Sequence, residues 1–349
     1  MKDVIVDGKH MRPGYTTGSC VVAAAAAAIR AIDEDRAQHR IAIDVPAGMR
    51  IEIPVKEVAR DGTSATYLVI KDAGDDPDVT DGIEILCTIR RDHTGDVRIR
   101  KGTGVGTLTK PGLFGAVGEL AINPVPKGEI LRLLEDNRKD GISLQIDIPR
   151  GEEVAKKTFN PKLGITGGLS ILGTTGIVRP MSKDAYIATV DMELRALSEE
   201  DARAVLLTPG NYGVQYAATH FPDLPAVQVS NYFGDALVLA RDYGFRAIQI
   251  LGHVGKLSKL SLGIWNTHSA VSDCRMEAFV YYLAKMGANA RLFAAVEAET
   301  TADGAYAICR KAGNGDILQH MEAGIEARVP RFLQDDAIAV SAKIYTMEA

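Results

Sequence analysis

The 349-residue chain has no excess of basic charge: 40 Lys and Arg stand against 45 Asp and Glu, a net of −5. It therefore lacks the basic surface of a general nucleic-acid binder, and neither half is a basic module, so any anionic ligand has to be met locally. Long apolar runs are missing too. The longest, Val21 to Ile29, falls well short of the roughly 18 to 20 residues that span a bilayer, so no membrane partner is expected. Met1 to Arg12 holds no uninterrupted apolar core, which argues against a secretory signal and makes a cytoplasmic protein the expectation. Cys20, Cys87, Cys274 and Cys309 lie far apart with no C-x-x-C pair, so reduced thiols and no protein-bound metal are expected.

What is present is ordinary globular composition, 46% hydrophobic and 24% charged, long enough for about two domains of roughly 150 residues. Glycine is the outlier at 34 residues, gathered in a few loops. The first half reads as α+β. An Ala-rich helix over Ser19 to Ile32 follows a Gly-rich turn, strands fall near 41–45, 51–55, 65–71, 83–90 and 96–100, and a helix from Pro126 to Asn137 leads to a strand at 142–148. The second half is α/β. Short apolar runs at Ala204–Thr208, Ala226–Ser230, Arg246–Leu251 and Ala337–Tyr345 alternate with helical patterns near 213–220, 234–244, 256–264 and 272–287, the cadence of a parallel sheet. The boundary is placed near residue 195.

Three Gly-bearing loops leave predicted parallel strands: Thr208 to Gly213, Ser230 to Gly234 and Gly252 to Lys256. Ligands of open α/β sheets bind outside the carboxyl ends of the strands, so these loops are expected to converge on one crevice. Tight strand-to-helix turning is the alternative reading of each. Gly252 to Lys256 is too short for a nucleotide phosphate loop and has Leu257 where Ser or Thr belongs. The polar segment Asn266 to Arg275 offers, among His268, Asp273 and Arg275, a general base and anion clamps, since His titrates near neutrality and Arg binds carboxylates bidentately, or simply a helix cap at Ser272 or Asp273. The acidic run Lys71 to Asp78 reads either as a cation site or a solvated turn. Gly102 to Gly106 has a G-x-G-x-G pattern but runs on to Pro111 rather than a helix, leaving a flexible, hydroxyl-rich lip as its remaining role. Gly164 to Ser182 is apolar and dense in Gly and Thr, with Arg179 its lone cation; it is either ligand-covered or a connecting hinge.

In order along the chain, Gly14 to Cys20 (GYTTGSC), Lys71 to Thr80, Gly104 to Leu113 (GVGTLTKPGL), Ala121 to Pro126 (AINPVP), Gly164 to Ser182, Pro209-Gly210-Asn211, Gly252 to Lys256 (GHVGK) and Asn266 to Ser269 (NTHS) resemble the CbiD family of cobalt-precorrin-5B C1-methyltransferases. Ser19 and Leu108 depart from that pattern, where Thr and Val are expected. The resemblance implies S-adenosylmethionine-dependent methylation of C1 of cobalt-precorrin-5B, giving cobalt-precorrin-6A in anaerobic cobalamin biosynthesis, with the cobalt carried by the substrate. It further implies an N-terminal α+β domain (1–195) resembling a permuted ribosomal S5 domain 2-like fold and facing the macrocycle. A C-terminal α/β domain (196–349) with a four-stranded parallel sheet is expected to bind the cofactor. Neighbouring pathway enzymes are expected as transient partners.

Site roles follow from loop position within that frame. Pro209, Gly210, Asn211, Gly213, Ser230, Asn231, Gly234 and Gly252 are assigned to the cofactor. Thr16, Thr17, Lys110, Gly168, Ser170, Thr174, Thr175, Arg179, Lys256 and Arg275 are assigned to the substrate, and His253 and His268 to proton transfer or ring polarisation. The rival class is a non-catalytic carrier of a cobalt-corrinoid, which would bind no S-adenosylmethionine.

Overall fold

In the computed structural model, which describes residues 2–6, 9–111, 113–161 and 163–347, the chain divides into two units, Met1–Lys183 and Asp184–Ala349. The division precedes the one expected near residue 195, because that position lies within a continuous helix, Lys183–Glu199.

The first unit is organised around helix α1 (Thr17–Glu34), which the Thr16 hydroxyl caps by accepting the Ser19 N–H at 3.3 Å and which ends at Asp35 with φ 46°. Its run of Cys, Val and Ala is almost wholly buried. Small side chains allow the helix backbone close to a sheet, and high Ala propensity offsets the thin hydrophobic surface each residue brings. A hairpin of β1 (Arg40–Val45) and β2 (Met49–Pro54) alternates buried and exposed residues. The main sheet contains β3 (Lys56–Arg60), β4 (Ser64–Ile70), β5 (Glu84–Arg91), β6 (Val97–Lys101) and β7 (Ile142–Asp147), in the order β3-β4-β5-β7-β6. All neighbours are antiparallel except β6 beside β7. Helix α2 (Pro124–Asp136) starts two residues before the expected position, where the Asn123 side chain accepts the Val125 N–H at 3.1 Å.

In the second unit, α3 (Lys183–Glu199) precedes four parallel strands: β8 (Ala204–Thr208), β9 (Ala226–Gln228), β10 (Ala247–His253) and β11 (Ala339–Tyr345), ordered β9-β8-β10-β11. Val205, Leu206 and Leu207 of β8 and Ile250 and Leu251 of β10 are fully buried, so consecutive residues on both faces of these strands are covered, as in a sheet with helices on both sides. Helices α4 (Asn211–His220), α5 (Phe233–Asp242), α6 (Val254–Ser261) and α7 (Arg275–Lys285) follow the expected pattern. Three further helices, α8 (Ala290–Glu297), α9 (Ala302–Lys311) and α10 (Ile317–Leu333), were not anticipated. Helix α10 guards the sheet edge: Glu322 and Glu326 accept the outward N–H groups of Ile344 and Ala342 at 2.8 and 2.9 Å, so β11 offers fewer open donors to another strand. No helix among the described residues is long and apolar enough to cross a membrane.

Candidate functional site

The carboxyl ends of β9 and β10 open onto a cavity of about 340 Å³ lined by Asn231, Gly255, Lys256, Lys259, Thr267, His268, Ser269 and Arg275. Two of the three Gly-bearing loops contribute to it; Thr208 to Gly213 does not. The sequence-assigned residues Asn231, Lys256, His268 and Arg275 are thus brought together, although Asn231 was grouped with the cofactor and the two cations with the substrate.

Most side chains in this cavity are placed by specific bonds. Lys256 Nζ donates to Asn231 Oδ1 at 2.8 Å, and the Thr267 hydroxyl donates to the same oxygen at 3.2 Å. Burial, and then the neighbouring Lys259, push the Lys256 ammonium below the ordinary lysine range. Lys259 is only 3% exposed, and its ammonium donates to the carbonyls of Thr267 and Ser272, both at 2.9 Å. It staples the Asn266–Arg275 segment to α6. Arg275 grips Asp273 through Nε and Nη2 at 2.7 and 3.1 Å, which holds the Asp273 carboxyl below its usual range. His268 Nδ1 accepts the Ala270 N–H at 3.2 Å.

His253 does not line this cavity. Its Nδ1 accepts the Gly255 N–H at 3.2 Å, capping α6, and its Nε2 meets Asp303 at 2.9 Å. The cap requires Nδ1 to be the acceptor, so Nε2 carries the proton towards Asp303. Gly234 and Gly252 serve close packing: a Cβ on Gly234 would press on Trp265, and one on Gly252 on Leu257. Ser230 is held in the left-handed region at φ 53°, an uncommon state for a non-glycine residue.

The remaining loop, with Pro209, Gly210, Asn211 and Gly213, leads into α4, whose N-cap Gly210 makes no side-chain cap bond. Open space surrounds a Cβ built on Gly210, whereas one on Gly213 would fall on the Thr208 hydroxyl. That hydroxyl is fully buried and has no hydrogen-bond partner among the described residues. Around Tyr212 of this loop stands a set of rings that sequence reasoning missed. Tyr345 lies between Tyr212 and Tyr216 at centroid distances of 5.3 and 5.2 Å, and Tyr216 stacks on His220 at 3.9 Å. Tyr212 is 51% exposed, so one aromatic face is backed by protein while the side chain stays open to a ligand. Only the fold brings Tyr345 to the loop, and no local pattern signals it.

In the first unit, Thr17, Gly168 and Ser170 are interior. The Thr17 hydroxyl accepts the Leu172 N–H at 2.8 Å, Ser170 donates to Asn160 Oδ1 at 3.1 Å, and Gly168 packs so tightly on Gly104 that no Cβ fits. Thr16 caps α1, and Lys110 lies against Gly164. Thr174, Thr175 and Arg179 are exposed. The segment expected to be a flexible lip is instead stitched in place, with the Gly106 and Leu169 N–H groups donating to the Leu169 and Gly104 carbonyls; Gly112 of that motif lies outside the described residues. The acidic run is committed internally: Asp72 pairs with Arg12 and Asp78 with Lys71, while Asp76 accepts the Met181 N–H. No group of three or more His, Cys, Asp or Glu residues among the described residues is placed to hold a metal.

The CbiD family model matches residues 4–180, and the model for the CbiD C-terminal domain matches residues 266–349. A cobalt-precorrin-5B C(1)-methyltransferase of Alkaliphilus oremlandii is 44% identical over 346 residues, 99% of this chain and 97% of the relative. One of the same name from Treponema denticola is 44% identical over 350 residues, covering 98% and 96%. The crystal structure of a cobalamin biosynthesis protein (cbiD) from Archaeoglobus fulgidus is 27% identical, spans 82% of this chain and 88% of that one, and aligns with a TM-score of 0.41. With family models matched in both parts of the sequence and this identity over nearly its full length, the chain belongs to the CbiD family.

Proposed function

We propose that the protein is a cobalt-precorrin-5B C1-methyltransferase that uses S-adenosylmethionine in cobalamin biosynthesis. The observation that carries this reading is 44% identity, over 99% of the chain, to a relative bearing that name. The second unit supports it, with polar and glycine-rich loops at the carboxyl edge of a parallel sheet. For the first unit, one buried helix over a mixed five-stranded sheet supports the permuted S5 domain 2-like reading and a macrocycle-facing role for exposed Thr174, Thr175 and Arg179.

When bound, S-adenosylmethionine supplies an electrophilic methyl group to an electron-rich ring carbon, so the protein needs no nucleophile of its own. The loop from Thr208 to Gly213 fits the cofactor: Gly210 leaves open space at a helix start without a side-chain cap, and the orphaned Thr208 hydroxyl lies against Gly213 in the same loop. Tyr212 offers a purine an aromatic face. What these residues contribute is orientation and exclusion of water, and well-oriented reactants reach effective molarities of roughly 10^5 to 10^8 M. The position of His268 at the cavity wall supports it, rather than His253, as the group that meets a substrate proton. Calorimetric titration with S-adenosylhomocysteine tests the cofactor half of the reading: saturable 1:1 binding is expected, and absence of binding with corrinoid present would leave only the carrier role.

A further inference from the structure

We infer that the cavity at Lys256 grips a pair of ring-edge carboxylates of the substrate, and that Asn231 and its loop therefore serve the substrate rather than the cofactor. This rests on the methyltransferase reading, which makes the substrate a tetrapyrrole with acetate and propionate arms.

Three cations, Lys256, Lys259 and Arg275, line the cavity, and no carboxylate does. Asp273, which Arg275 holds, offsets one of them. Two positive charges thus remain for a ligand. Their donors are preorganised: Asn231 orients Lys256 through a neutral oxygen, and the two carbonyls that fix Lys259 leave its third N–H available. Such a wall repels S-adenosylmethionine, whose sulfonium and ammonium outweigh its single carboxylate, and attracts a dianion. Size points the same way. At about 340 Å³ the cavity sits at the bottom of the range for drug-sized ligands, too small for a whole tetrapyrrole but adequate for two of its arms.

The test uses the full chain and uroporphyrin, a soluble tetrapyrrole bearing acetate and propionate arms, alongside S-adenosylhomocysteine. Wild-type protein is expected to bind uroporphyrin saturably and less tightly as salt rises. Lys256→Gln is expected to weaken that binding about tenfold, the loss of one charge-assisted hydrogen bond, while S-adenosylhomocysteine affinity stays unchanged. Lys256→Arg, which keeps the charge, should restore most of the affinity and so separates charge recognition from misfolding. Failure of the wild type to bind uroporphyrin overturns the inference. So does a Lys256→Gln or Asn231→Ala variant that loses S-adenosylhomocysteine instead. A wild type that binds uroporphyrin as described yet transfers no methyl group to cobalt-precorrin-5B would count against the methyltransferase reading and leave the carboxylate site standing.

Discussion

The side-chain oxygen of Asn231 accepts a hydrogen bond from Lys256 Nζ at 2.8 Å, across 25 positions of sequence. A neutral acceptor orients the ammonium without cancelling its charge. Asn231→Asp keeps the shape and places a carboxylate against the cation, so the KM for corrinoid is expected to rise about tenfold with kcat nearly unchanged, the pattern of lost ground-state binding. Steady-state kinetics check this; a fall in kcat at constant KM would place Asn231 at the reacting atoms instead.

Because burial, and then Lys259, lower the Lys256 pKa, anion binding is expected to weaken on the alkaline side, beginning below the pH at which an ordinary lysine titrates. The sign is fixed: the charged form binds and is lost as pH rises. Uroporphyrin titrations across pH should show this limb, and Lys256→Arg should move it to higher pH.

Tyr212 presents an exposed ring backed by Tyr345 at 5.3 Å. If that ring takes the purine of the cofactor, Tyr212→Ala should weaken S-adenosylhomocysteine by about 1–3 kcal/mol, the range for base–aromatic stacking, whereas Tyr212→Phe should change little. Calorimetry on both variants distinguishes stacking from a role for the hydroxyl.

In the first unit, Lys71 is 2% exposed and its ammonium donates to Asp78 at 2.7 Å. Burial works against ionisation of Asp78, but the charge and hydrogen bond of Lys71, with help from Thr80, hold the carboxyl below its usual range. The stability this contributes is present above the unfolded pKa of about 3.9 and lost as pH falls through the lower folded value. Acid melts should show that limb in the wild type and a flatter one in Asp78→Asn. Lys71→Met, which strands a partly buried carboxylate, should cost about 3 kcal/mol at neutral pH.

Regular elements with strong local signals were legible. Helix α1 follows from its Ala run and hydroxyl cap, and the four strands β8 to β11 from short apolar runs, the first three of which end in Gly-bearing loops. Strand β3 was missed because Lys56-Glu57-Val58-Ala59-Arg60 is polar and mostly exposed, an edge strand with no buried face to pattern it. Helix α3 escaped because its buried residues, Val190, Glu193, Leu194 and Ala196, make too short a stripe and include a carboxylate.

At the site, the cations Lys256 and Arg275 were found from residue type and loop position. Lys259 was not, since its partners are the backbone carbonyls of Thr267 and Ser272, which carry no side-chain signature. His253 looked chemical because it follows a glycine at a strand end, yet its two ring nitrogens are engaged by Gly255 and Asp303.

Methyl transfer to carbon is tested most directly by incubating the purified protein with cobalt-precorrin-5B and methyl-labelled S-adenosylmethionine, followed by mass spectrometry and NMR of the corrinoid. One labelled methyl at C1 is expected for each S-adenosylhomocysteine formed. Unmodified corrinoid recovered from a complex with the protein would contradict it and establish a carrier.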